Sequence, residues 1–401
     1  MIAIYLNTIR EWGGVDVLAA RFATFLREAG EPFFIVEPEG GRIRKELPWA
    51  TFHAPDSLSA VEEPDHVLVT SLPKLVHDQF PWGVFRGSKI LAWAVHPLDP
   101  FRKFFPYSGK LLDHLGFPAV RAVQWCLPSH NRLVRRFFSS LIGGNGLCAM
   151  DGANLRALCH FYPGIASSVP IIPVPSPLSF SGESKATSEA LSVSYFGRLD
   201  RFKWSALSSF IDGSLGPRAK MQPVSLHCIG DGPCMPDLES ACARFGVGLV
   251  KHGFMPNYDA IKCVATYSDI AVAMGTAALD AAGTGHPCII IDPALGPFRK
   301  SQRLFRFVDE TPDFTVGEYR DAPGYVHGLR SFDECVEPAM IARHREAARD
   351  YVGSRHAPDA CFGGLLAMLM NSQVRGEDLA DNARGIMASF HAPDEKKVAR
   401  R

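Results

Sequence analysis

The sequence predicts an α/β protein built from two doubly wound domains, and three observations predict it. At 401 residues the chain exceeds what a single hydrophobic core usually serves. Short apolar strands alternate with helical patterns, and the alternation restarts after a polar, proline-containing stretch. Several strand candidates run directly into glycine-bearing turns, as they do where a parallel sheet presents its carboxyl ends to a ligand.

The first strand is residues 1–7. Gly13-Gly14 then precede a helical pattern in which Val17, Leu18, Phe22, Phe25 and Leu26 share one face, and Gly30 ends that helix. Further strands are expected at Phe33–Val36, His66–Thr70, Ile90–Val95, Gly146–Met150 and Val169–Val174. Residues 175–189 are polar and poor in apolar side chains, which places the domain boundary there. Beyond it, strands are expected at Leu191–Phe196, Ser225–Ile229, Gly248–Lys251, Ile270–Ala273 and Cys288–Ile291. Helices start near Trp204 and cover Met235–Phe245, Asn257–Tyr267 and Thr276–Thr284. The expected domains are 1–178 and 190–370, followed by a helical tail over 371–401.

Composition narrows the function classes. Hydrophobic residues make up 47% and charged residues 21%, the balance of a soluble globular protein. Forty-two basic and forty-two acidic residues cancel, so no global field favours nucleic acid. The ten cysteines form no CxxC pair and no regular spacing with histidine, which supports neither zinc nor a disulfide framework. The N-terminus reads as a strand rather than a signal peptide, and no apolar run reaches spanning length. The expected location is the cytoplasm, with peripheral attachment at the inner face of the cell membrane. Between residues 101 and 140, Arg102, Lys103, Lys110, Arg121, Arg132, Arg135 and Arg136 face one acid, Asp113. Phe104, Phe105, Phe137 and Phe138 interleave with them. Such a segment suits anionic lipid, or equally an amphipathic helix with its phenylalanines in the core.

The chemistry gathers at the second domain's strand ends. Gly197 permits close backbone approach, while Arg198 and Lys203 on the same loop can neutralise a diphosphate, arginine bidentately and lysine as a point charge. Gly230-Asp231-Gly232-Pro233 follows the next strand. Gly275-Thr276 open a helix whose first amides can receive phosphate, and Asp280 can accept from ribose hydroxyls; otherwise Thr276 is a cap and Asp280 a solvated acid.

Four segments occur in a telling order: Gly197-Arg198-Leu199 with Lys203; Ile229-Gly230-Asp231-Gly232-Pro233; His252-Gly253-Phe254-Met255-Pro256; and 278–287, Ala-Leu-Asp-Ala-Ala-Gly-Thr-Gly-His-Pro. With them the second domain resembles the nucleotide-binding half of the retaining GT-B glycosyltransferases, family four in the usual classification and of the bacterial surface-polysaccharide type. The resemblance covers residues 190–295 and implies two Rossmann-like domains facing across a cleft, with C-terminal helices packing back. It implies that Arg198 and Lys203 contact the donor diphosphate, that the backbone near Gly253 and Met255 lies by the base, and that Asp280 replaces a ribose-binding glutamate. A second glutamate of the family, eight positions earlier, corresponds to Val272. Gly13 and Gly14 match the family's glycine-rich loop beside donor and acceptor. His96 matches a histidine facing the transferred sugar.

The activity implied is transfer of a hexose or related sugar from a nucleotide sugar, UDP- or GDP-linked, to a glycan, lipid-linked or other acceptor with retention. No Asp-x-Asp occurs, so neither a metal nor another cofactor is expected, and the two cations take that burden. An NAD-dependent oxidoreductase is disfavoured because Met235 stands where the dinucleotide fingerprint needs glycine. A sugar-nucleotide epimerase and a non-catalytic binding subunit remain the alternatives.

Overall fold

The computed structural model describes residues 1–6, 13–101, 104–105, 116–164, 168–177, 190–294 and 302–391. Residues 178–189 of the expected linker, the basic C-terminus, and Arg102, Lys103, Lys110 and Asp113 lie outside the described residues.

The chain forms two compact units, one of residues Met1–Ile172 with Cys361–Arg401 and the other of Pro173–Ala360. The first holds a parallel six-stranded sheet of β1 (Ile2–Tyr5), β2 (Phe33–Val36), β3 (Phe52–His53), β4 (His66–Val69), β5 (Lys89–Ala94) and β6 (Leu147–Ala149). Its order, β3-β2-β1-β4-β5-β6, reverses direction between β1 and β4. Strands β1, β4 and β5 are almost wholly buried, which fits their continuous apolar runs and a sheet covered on both faces.

The second unit repeats the plan with β7 (Leu191–Phe196), β8 (Val224–Ile229), β9 (Gly248–Gly253), β10 (Ile270–Ala273) and β11 (Cys288–Ile290), in the order β11-β10-β7-β8-β9. Here the switch falls between β7 and β10, which pair in register Ile270↔Val193 and Val272↔Tyr195. The core of this unit packs Val193 and Tyr195 of β7, Leu207 and Phe210 of helix Arg201–Phe210, and Phe305, Phe307 and Phe332.

Three expectations change. Val169–Val174 forms no strand: it touches the sheet through one isolated bridge, Ala149↔Ile171, and Trp93 donates to the Ile172 carbonyl at 3.2 Å. β3 went unforeseen because two residues carry no period. Phe104, Phe105, Phe137 and Phe138 are buried, so they belong to a core and not to a lipid-facing surface. What does stand out there is Trp125, 88% exposed on helix Pro118–Cys126 one turn beyond exposed Arg121.

The C-terminal segment is integral to the first unit, although 361–370 was expected to close the second domain and 371–401 to form a tail. Ile90 N donates to Val374 O at 2.7 Å, Ser372 Oγ to Ile90 O at 2.7 Å, and Gly376 N to Ser88 O at 3.1 Å. A Cβ on Gly376 would lie 1.9 Å from Phe85 O, so only glycine fits this junction. Helix Gly376–His391 then packs on helix Pro128–Gly143. A chain ending at Asn371 strips both the pairing of β5 and the packing on helix Pro128–Gly143, where Ser389 Oγ lies 2.6 Å from His130 Nδ1. It is expected to lose the cooperative thermal transition of the first unit in calorimetry, whereas a chain ending at His391 keeps it.

Candidate functional site

The loop after β7 is organised by Asp200. As N-cap of helix Arg201–Phe210 it accepts from Lys203 N at 2.9 Å through Oδ1. Its Oδ2 accepts from Arg198 Nε at 2.9 Å and Nη2 at 2.7 Å. One carboxylate therefore fixes both the helix start and the guanidinium. Tyr195, buried in β7, donates its hydroxyl to Arg198 O at 3.0 Å and braces the same turn.

Lys203 lies in the first turn of that helix with its ammonium against Gly197: a Cβ there would sit 3.1 Å from Nζ. Gly197 has φ +149, a left-handed conformation that glycine alone adopts cheaply. Burial pulls the Lys203 ammonium down to about 8; Asp200 pulls it back up and Arg198 pushes it further down. The loop thus holds a cation that its own protein environment solvates poorly, beside an arginine already oriented by a carboxylate. A bound anion would relieve that deficit.

The neighbouring loops are locked to this one through backbone. Gly197 N donates to Ile229 O at 3.0 Å, Leu199 N to Asp231 O at 2.9 Å, and Cys234 N to Leu199 O at 3.1 Å. Gly230 and Gly232 are required by this contact, since a Cβ on either would lie 2.1 Å from Gly197 O or 2.5 Å from Leu199 O. Gly230 N also donates to Gly253 O at 2.9 Å, which brings in the end of β9. Gly253 is left-handed at φ +72 with open space before it, and Met255 is half-buried two residues on.

Across the switch point, β10 ends at Ala273, and Gly275 (φ +68) is the N-cap of helix Thr276–Gly283. Gly275 N is not open to a ligand, because it donates to Val316 O at 2.7 Å. The amides of Thr276 and Ala277, at the helix start, have no carbonyl within the helix to receive them. Thr276 makes no side-chain cap. Asp280 is not a solvated acid: it is 2% exposed, accepting from Ser176 Oγ at 2.7 Å and from Asn257 Nδ2 at 3.3 Å. Val272 is fully buried within β10, paired with Tyr195 and Ile289, and its side chain belongs to the core of this unit.

In the first unit, Gly13 caps helix Gly14–Glu28 in an extended conformation, its amide held by Asp16 Oδ2 at 2.9 Å; exposed Gly14 begins the helix. His96 follows β5. Its Nδ1 accepts from Leu98 N at 3.1 Å, which puts the ring proton on Nε2, and Asp99 Oδ1 lies 4.0 Å from Nδ1. Ser71 Oγ donates to Asp99 Oδ2 at 3.0 Å, joining the loops after β4 and β5. Sequence reasoning assigned no role to Asp200 or Asp99; an aspartate three residues before Lys203, at the start of a helical pattern, was the signal available for the first.

No protein-family model and no curated protein matches the chain. Solved structures do. A glycosyltransferase from Rickettsia africae ESF-5 matches with a TM-score of 0.59 at 12% identity, over 92% of this chain and 97% of that one. WaaG, a glycosyltransferase involved in lipopolysaccharide biosynthesis, matches with a TM-score of 0.55 at 11% identity, over 92% of this chain and 99% of its own. The fold is GT-B. A trehalose-6-phosphate synthase, studied for glycosyl transfer with retention, matches at a TM-score of 0.51 and 12% identity, over 93% of this chain and 100% of that chain. Identities this low establish the GT-B architecture and leave the chemistry to the residues themselves.

Lys203 yields a signed prediction. Its folded value of about 8 lies below the ordinary 10.5, so the unfolded chain holds more protons between those limits. The ammonium is disfavoured in the fold, and stability from this group rises as pH increases from about 8 to 10.5. Denaturant midpoints measured across that window are expected to fall less steeply, or to rise, in the wild type relative to Lys203→Met, which lacks the titration. Parallel curves would show that the half-buried setting of Lys203 does not depress its ammonium.

Proposed function

We propose that the chain is a glycosyltransferase moving a sugar from a nucleoside-diphosphate sugar to a glycan or lipid-linked acceptor, with retention and without a metal. The observation that carries this reading is the Asp200 clamp, which orients Arg198 and starts the helix bearing a poorly solvated Lys203, at the switch point of the second unit of a GT-B fold. Ligands in open parallel sheets bind at that point.

In this reading the donor's diphosphate lies between the Gly197–Lys203 loop and the turn at Gly275, receiving the amides of Thr276 and Ala277. Departure of the nucleoside diphosphate leaves an oxocarbenium-like sugar, and the developing charge falls on the phosphate, where Lys203 and Arg198 stand preorganised. Arg198 stays paired with Asp200 and contributes its charge. Gly253 and Met255 flank the base, and Gly13 and Gly14 line the donor and acceptor side. His96, a donor at Nε2, hydrogen-bonds the transferred sugar. Asp280 acts from within, holding Ser176 and Asn257, and approaches the ribose only if Asn257 is displaced. The base, UDP or GDP type, and a hexose or related sugar belong to the same proposal.

A dinucleotide reading loses its usual acidic partner. Glu37, one residue past β2, is buried and accepts from Ile43 N and Arg44 N, both at 3.1 Å, so its carboxylate serves the fold.

Lys203→Ala is expected to lower the transfer rate by two to three orders of magnitude, or about the loss of one preorganised charge, with its thermal transition retained. Affinity for the matching nucleoside diphosphate is expected to fall as pH rises through about 8 in the wild type and to be flat there in the variant. Product nucleoside diphosphate should appear only when acceptor is present, which separates transfer from epimerisation and from silent binding. Near-normal turnover by Lys203→Ala defeats the assignment.

The acceptor side is proposed to rest on anionic lipid at the inner face of the membrane. Exposed Trp125 with Arg121, and Arg132 and Arg136 on the following helix, suits an interfacial anchor with charge around it. Among the described residues no helix is long and apolar enough to cross a membrane. Wild-type protein should sediment with phosphatidylglycerol vesicles at low salt and Trp125→Ala much less. Equal recovery of the two proteins removes the tryptophan from the contact.

A further inference from the structure

Between Phe307 and Ser331 the second unit makes a long excursion with only two short 3-10 turns, Val308–Glu310 and Pro312–Phe314. Structureless segments of this length inside a compact unit are uncommon and are usually functional. This one is firmly built. Its base is closed by an antiparallel bridge, Phe305↔Arg330, by Arg330 Nη1 to Glu310 Oε1 at 2.6 Å, and by Arg306 Nη1 to Val326 O at 2.9 Å.

Its far part, residues 316–325, lies across the carboxyl ends of three strands. At β10, Val316 O takes Gly275 N at 2.7 Å, and Gly317, left-handed at φ +147, presses on Met274, where a Cβ would meet Met274 Cβ at 3.3 Å. At β11, buried Asp292 gathers the segment. Its Oδ1 accepts from Glu318 N at 2.9 Å, its Oδ2 from Tyr325 Oη at 2.9 Å, and its carbonyl from Arg320 Nε at 2.9 Å. Past the end of β7, on helix Arg201–Phe210, Phe202, the residue before Lys203, meets the Tyr319 ring with centroids 5.5 Å apart.

We infer that residues 316–325 form a strap that sets the spacing between the Lys203 loop and the Gly275 turn, and so selects a diphosphate over a monophosphate. Gly317 and Asp292 are positioning residues of that strap. This rests on the donor-site reading above. The physical case is that both sides of the crevice between β7 and β10 are tied to one segment. Taking Gly275 N out of play leaves Thr276 and Ala277 to meet the ligand, and the Tyr319–Phe202 contact holds the first turn of the Lys203 helix opposite them. A monophosphate can engage one side at a time, whereas a diphosphate spans both. With Val272 sealed inside the sheet, discrimination at this end falls to the strap.

The test is calorimetric titration with UDP, GDP and ADP, then with the monophosphate of whichever base binds best. It uses the full chain, Gly317→Ala and Tyr325→Phe, with thermal transitions as a check on folding. In Gly317→Ala the preference for diphosphate over monophosphate is expected to drop about tenfold, the scale of losing one hydrogen bond to a charged group, with monophosphate affinity little changed. Tyr325→Phe, which removes one Asp292 anchor without adding bulk, should shift the preference the same way by a smaller factor. If the wild type binds none of the three diphosphates, the donor-site reading fails and the strap inference with it. If the wild type binds a diphosphate and a folded variant keeps the full preference, or loses both ligands equally, the strap inference alone is overturned. Should Gly317→Ala fail to fold, Tyr325→Phe decides by the same criterion.

Discussion

A single carboxylate, that of Asp200, sets the arrangement on which the proposed donor site depends. One oxygen satisfies a helix amide that would otherwise be orphaned, and the other holds a guanidinium through two donors. These tasks compete for one charge, and sharing it has a chemical result. Arg198 is neutralised locally and oriented, whereas Lys203, whose amide rather than ammonium touches the carboxylate, keeps its deficit of solvation. Remove Asp200 and the helix start frays while two cations on one loop repel each other. The proposed anion site is therefore built around an acid, which a search for clustered basic residues alone misses.

Around that carboxylate the backbone itself sets the tolerances. The turns after β7, β8 and β9 meet main chain to main chain, with Gly230 and Gly232 at distances no Cβ can enter. The second glycine-bearing segment, expected as context for a ligand, has this packing duty to perform whether or not a ligand is present. Motif glycines of this sort make the loop after β7 rigid, and rigidity lets preorganised charge act on a leaving group without reorganisation.

Much of this was legible in the sequence, for identifiable reasons. Met235–Phe245 and Asn257–Tyr267 fall where their periodicity places them, because both are amphipathic and bounded by punctuating residues, Gly246 after the first and Pro256 before the second. Gly30 ends the first helix in the left-handed conformation expected of it. Val169–Val174 misled because an apolar run between prolines reads as a strand whether or not sheet edge remains to receive it. The phenylalanines at 104, 105, 137 and 138 show the limit of composition, since basic and aromatic neighbours in sequence separate in space once a helix has two faces. The role of residues 372–376 as a partner to β5 was invisible because it depends on a contact nearly three hundred residues away in the chain.

Val272 shows how spacing alone can misplace a functional question. Counting eight residues back from Asp280 asks why an acid is missing. The answer is that β10 runs straight into Met274-Gly275 and leaves position 272 paired inside the sheet. A glutamate there would be a buried, unpaired charge, costing far more than a sugar contact could return. The turn after β10 is short, Met274-Gly275, and sets the first amides of helix Thr276–Gly283 at the strand end. Residues 316 and 317 lie against that turn, Val316 O taking Gly275 N and Gly317 standing next to Met274. The short turn and the long excursion after Phe307 are then two halves of one structural solution, each holding the other's main chain in place.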